Sequence, residues 1–141
     1  MFEKILVAVD GSMNSDRAVE TAAEMTRVHG ASLNICHAFH IPEHYKTDLV
    51  DELEEALEAD AEKILSHAAG VAERASVGAE TMLLKKGHPT EAIVAYATKL
   101  GANLIVIGVR GKSPGATRAI GSVSATVAEQ ANCSVLLVRG S

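Results

Sequence analysis

The chain has 141 residues, 48% of them apolar and 22% charged, and carries a net charge of −5 at pH 7. That is the length of one ordinary domain with a sizeable core, so residues 1–141 are read as a single unit. The negative charge disfavours nucleic acid as a partner, and no apolar run approaches the length of a bilayer span, which sets membrane classes aside.

Aromatic residues make up only 3% and Trp is missing, so Val, Ile, Leu and Ala must build the core. Ile5 to Val9 is apolar on both alternating faces, as in a strand covered on both sides. The run is short and stops at Asp10, which argues against a signal peptide and for a cytoplasmic protein. After the turn Asp10-Gly11-Ser12, residues 15–29 place Ala18, Val19, Ala22, Ala23 and Met25 on one helical stripe, and Gly30 stops the helix. Leu33 to Phe39 reads as a second strand and Ile41 to Lys46 as a loop. Residues 48–75 form a long helix with Leu49, Leu53, Leu57, Ile64, Ala68 and Val71 expected inward. Eight acids lie between Asp48 and Glu62. They read as a solvated face, with a metal site or a surface for a basic partner as the other reading.

Residues 79–85 make a third strand. Gly87-His88-Pro89 then opens a helix with Pro near its first position and Glu91 in its first turn, and Gly101 ends it after Leu100. Leu104 to Ile107 is a fourth buried strand, followed by a Gly-rich loop over 108–120. A helix from near Gly121 to near Ala131 follows, and Ser134 to Val138 is the last strand. The alternation of strands with helices implies an α/β fold, a doubly wound parallel sheet of five strands with helices on both faces.

In such sheets ligands sit beyond the carboxyl ends of the strands, where the strand order reverses. The loops after strands one and four, Asp10-Gly11-Ser12 and Gly108 through Ser124, meet in one crevice if the order is 3-2-1-4-5. The second loop carries the chemistry. Its glycines allow close approach of backbone to a ligand or a positive φ. The free N–H groups of Ser122, Val123 and Ser124 at the start of a helix would face an anion, with the hydroxyls of Ser122 and Ser124 as further donors. Arg110, Lys112 and Arg118 cluster in a stretch with no acid between 104 and 128. Three charges are few for tracking a duplex, so the cluster points to a phosphate group. Gly111-Lys112-Ser113 imitates the end of a P-loop, but that motif requires Gly where Val106 stands, and strand one lacks the Gly-x-Gly-x-x-Gly turn of a dinucleotide fold.

The spacing Gly108-x2-Gly111-x9-Gly121-Ser122, together with Val7-Ala8-Val9-Asp10-Gly11-Ser12, Leu104 to Gly108 and Ser134 to Val138, resembles the ATP-binding branch of the universal stress protein family over essentially the whole chain. The resemblance implies ATP as ligand, or ADP or AMP, with Mg. It implies that Asp10, in its turn with Ser12, contacts the adenosine end, that the backbone of Val9 and Ala38 meets adenine, and that Ile107 and Gly108 border the ribose. Gly111, Gly121, Ser122, Val123 and Ser124 would hold the phosphates, next to Arg110 of the basic cluster. It also implies a homodimer through the last strand, Ser134 to Val138, whose apolar, uncharged edge invites a second copy. A regulatory nucleotide-binding protein is the expected function; a slow ATPase of the same fold and an interaction scaffold with an empty site are the alternatives. No Asp, Glu or His in 108–124 is available to orient water at a γ-phosphate, which disfavours fast hydrolysis.

His37, His40 and His44 match no metal-ligand spacing and read as packed or exposed side chains. His88 is a candidate for the crevice mouth. Cys36 and Cys133, in or beside apolar segments, read as reduced structural residues.

Overall fold

A computed structural model describes residues 1–41, 49–85, 87–109 and 120–140. Among them five strands alternate with four helices: β1 (Lys4–Ala8), α1 (Met13–His29), β2 (Ser32–Ala38), α2 (Leu49–Arg74), β3 (Ala79–Leu84), α3 (Pro89–Leu100), β4 (Leu104–Gly108), α4 (Ser122–Gln130) and β5 (Ser134–Val138). The strands are all parallel, in the order β3-β2-β1-β4-β5. The expected α/β architecture and strand order are therefore met.

The two-sided apolar strands explain why the sheet is covered on both faces. Ile5, Val7, Leu33, Ile35, Leu104 and Val106 point to one side and pack with Ala18, Val19 and Ala22 of α1 and Leu65, Ala68 and Val71 of α2. Leu6, Cys36, Ile105 and Ile107 point to the other and pack with Ile93 and Ala97 of α3 and Val127 of α4. Helices stop where glycine takes the left-handed conformation: Gly30 at φ 63° and Gly101 at φ 73° return their N–H groups to the last turn.

One helix departs from the expected burial. Leu49 and Leu53 of α2, expected inward, are 68% and 38% exposed, and the buried residues of α2 begin at Ala61. The cause is length. A helix of 26 residues rises about 39 Å at 1.5 Å per residue, whereas the seven-residue β2 spans about 23 Å. A helix so much longer than the strands it covers is expected to leave its amino-terminal turns beyond the sheet.

Both cysteines are free thiols, and Cys36 is fully buried. Burial pushes its thiol up from 9.0 to about 12. The unfolded chain would ionise first, so this contribution to stability is complete below pH 9.0 and is lost as pH rises towards 12. Thiolate is the reactive form. Native protein at pH 8 should therefore label at Cys133 with a maleimide, and Cys36 should react only on unfolding; fast labelling of both thiols would contradict the burial of Cys36. Among the described residues no helix is long and apolar enough to cross a membrane.

Candidate functional site

At the carboxyl end of the sheet β1 and β4 lie side by side and their helices leave to opposite faces. The gap between them is a cavity of about 220 Å³. Its walls are of two kinds. Ala8, Val9, Ala38, Pro89, Ile93 and Ile107 give apolar surface, while Asp10, Ser15, Gly108 and the run Gly121 to Ser124 give polar surface. The loops after strands one and four thus meet in one crevice. Arg110 and Gly111, with Lys112 and Arg118, lie outside the described residues.

On the acidic side, Asp10 is held by its own turn. Its Oδ1 accepts from Ser12 N at 2.9 Å and from Ser15 Oγ at 2.7 Å, while Asp10 N donates to Ser15 Oγ at 2.8 Å. Gly11, at φ 84°, permits this tight turn. Ser12 caps α1, its hydroxyl accepting from Ser15 N at 3.2 Å, and it does not line the cavity. Ser15 lines it instead. Ser12, expected with Asp10 at the ligand, is seen here as the N-cap of α1. Ser15 escaped the sequence reading because a serine in the first turn of a helix looks like surface; its three-residue spacing from the capping Ser12 was the available signal.

On the apolar side, Val9 and Ala38 differ. Val9 N donates to Cys36 O at 2.9 Å, and Val9 O accepts from Nδ1–H of His37 at 2.7 Å. The N–H of Val9 is thus engaged, while its carbonyl keeps a second lone pair for a further donor. In β2 the alternation runs the other way for Ala38. Cys36 bonds towards β1 and Phe39 N donates to Leu84 O of β3 at 3.1 Å. Ala38, two residues after Cys36, therefore directs its N–H and C=O past the end of β1, into the crevice. A flat heterocycle with one donor and one acceptor on its edge would find both partners there.

The anionic end is set by α4. Gly121 is its N-cap, at φ −62° and ψ 154°, and no side chain among the described residues caps the helix. The N–H groups of the first turn face the crevice with the positive end of the helix dipole. Gly121 N donates to Val109 O at 2.7 Å and Val109 N to Val138 O at 2.9 Å, which ties this turn to β5. The buried Ser124 donates its hydroxyl proton to Gly108 O at 2.5 Å, so Ser124 brings its backbone N–H to the crevice and not its hydroxyl. Neither Gly108 nor Gly121 has a positive φ. Gly108 is required by crowding, because a Cβ there would lie 2.9 Å from Asn14 Cβ.

His88 caps α3, its Nδ1 accepting from Thr90 N at 3.3 Å, and it is Pro89 and Ile93 after it that line the cavity. His40 and His88 are 6.4 Å apart, and His44 lies outside the described residues. Among the described residues no three His, Cys, Asp or Glu side chains gather as a metal site. A broader depression of about 430 Å³ lies at the opposite ends of the strands, beside Lys4, Ser32, Asn34 and Glu80. Helix carboxyl termini flank that end of a parallel sheet, so an anion gains nothing there.

Sequence and structure comparisons agree on one family. The sequence pattern of the universal stress protein family matches residues 1–139. A universal stress protein of Thermus aquaticus is 38% identical, with 99% of this chain and 100% of that protein aligned. A universal stress protein solved in complex with cAMP superposes with a TM-score of 0.78 at 30% identity, covering 99% of both chains. The universal stress protein of Archaeoglobus fulgidus in complex with dAMP superposes with a TM-score of 0.72 at 28% identity, covering 96% of this chain and 97% of that one.

Proposed function

The chain belongs to the universal stress protein family, and from that premise we propose that it is a cytoplasmic, ATP-binding regulatory protein with little or no turnover, whose occupancy biases conformation or partner choice. The observation that carries this reading is the pairing, in one cavity, of an apolar slot edged by Ala38 with the start of α4, whose N-cap is a glycine. Adenine suits the slot, and phosphates suit the helix start. Asp10, with Oδ1 fixed by Ser12 and Ser15, would present its other oxygen to a ribose hydroxyl. Arg110 and Gly111 would complete the phosphate end, with Mg bound through the phosphates. Two relatives solved with cAMP and with dAMP support an adenine nucleotide as the ligand class. Nucleotide extracted from purified protein, identified by chromatography, tests the ligand; recovery of none, together with no binding of added Mg-ATP, overturns it.

Turnover is expected to be slow. Fast phosphoryl transfer needs a side chain that orients the attacking water, and 108–124 holds no Asp, Glu or His. Among the described cavity-lining residues the only carboxylate is Asp10, in the turn after β1 and not in the loop that leads into α4. Phosphate release from Mg-ATP should stay well below about 1 per second, the lower end for working kinases. Release at several per second from protein free of contaminating ATPase favours the slow-ATPase alternative. The same reading includes a homodimer through β5.

A further inference from the structure

Asn14, the second residue of α1, is wedged between Gly108, which lines the crevice at the end of β4, and Gly140, just beyond β5. Its Oδ1 accepts from Gly140 N at 2.9 Å, just beyond β5. A Cβ on Gly140 would collide with that same carboxamide, and a Cβ on Gly108 would lie 2.9 Å from Asn14 Cβ and 3.2 Å from its backbone. Two glycines far apart in sequence thus make room for one half-buried asparagine. The next residue, Ser15, is the one that holds Asp10. On the other side, the end of β5 reaches the first turn of α4 through Val138 O, Val109 and Gly121 N.

We propose that Asn14 is a positioning residue that locks the segment after β5 to the first turn of α1, so that the end of the edge strand and both walls of the crevice move as one body. This rests on the nucleotide reading above. A ligand held by both Asp10 and the start of α4 is bound best when the two are kept in register, and a neutral hydrogen bond that only sets register acts through the groups it aligns. Binding at the crevice should reciprocally tighten the Asn14–Gly140 contact.

The test uses the full chain, Asn14→Ala, a chain shortened by removal of residues 140–141, and the two changes combined. Mg-ATP affinity is measured by calorimetry and Gly140 amide exchange by NMR. Asn14→Ala should weaken Mg-ATP about three- to tenfold, the worth of one hydrogen bond. The shortened chain should lose as much, and the combination no more than either, because one contact is removed twice. In the unmodified protein Mg-ATP should slow Gly140 exchange, and in Asn14→Ala it should not. Affinity within twofold of the unmodified protein for both single variants overturns the proposal, as does a combined loss equal to the product of the two. If the unmodified protein binds no Mg-ATP, the nucleotide reading itself fails. Should Asn14→Ala not fold, the shortened chain carries the same test.

Discussion

Gly121→Val should abolish the stabilisation of this protein by ATP while leaving its fold in place. A ligand that binds only the native state at one hundred times its Kd adds about 2.7 kcal/mol, which for a domain of this length raises Tm by roughly 8–12 °C. Gly121 lines the cavity and stands at the N-cap of α4, next to the N–H groups proposed to hold the phosphates. Its backbone, at φ −62° and ψ 154°, is extended and available to any residue, valine included. The N–H that donates to Val109 O is kept. The folding cost is therefore that of a poor N-cap, about 1 kcal/mol or less, and a few degrees of Tm in the absence of ligand. The isopropyl group, by contrast, fills space the phosphates need. Thermal unfolding with and without saturating Mg-ATP reads both effects separately. A ligand-induced shift in Gly121→Val as large as in the unmodified protein removes Gly121 from the site.

That experiment turns on the reason for the glycine, which the sequence leaves open. Glycines at 108 and 121 are legible as spacing, and either a positive φ or a close approach accounts for them. The structure decides for close approach at Gly108, where Asn14 fills the space of a side chain. The sheet was legible for a simpler reason. Ile5 to Val9 and Leu104 to Ile107 are apolar on both faces, and only a strand covered on both sides hides such a run. The stripe on α2 was over-read because periodicity records which face is apolar and not how far the partner sheet extends; Leu49 and Leu53 keep the period beyond the end of the strands. Hydrogen-bond economy was the least legible layer. That Ser15 holds Asp10, that Ser124 bonds Gly108 O, and that His37 occupies Val9 O depend on contacts between elements that no local pattern encodes.

Leu137→Pro should convert a homodimer into a monomer without unfolding it. β5 is an edge of the sheet, and it is apolar and uncharged from Val135 to Val138. The other edge, β3, exposes Glu80, a charge that discourages pairing. Two copies meeting antiparallel along β5 about a two-fold axis would satisfy both edges with one self-complementary patch. The backbone alternation makes the test selective. Val138 O accepts from Val109 N, so Val138, and with it Leu136, turns its backbone groups towards β4. Val135 and Leu137, offset by one residue, turn theirs outward. Proline at 137 deletes an outward donor and leaves the β4 ladder whole, which is where an edge strand tolerates it. Proline at 136 would delete an inward donor and should lower Tm instead. Light scattering on the unmodified chain and on Leu137→Pro, with thermal unfolding of each, separates assembly from folding. The pairing is refuted if the unmodified protein is a monomer at high concentration, or if Leu137→Pro dimerises as tightly as the parent chain.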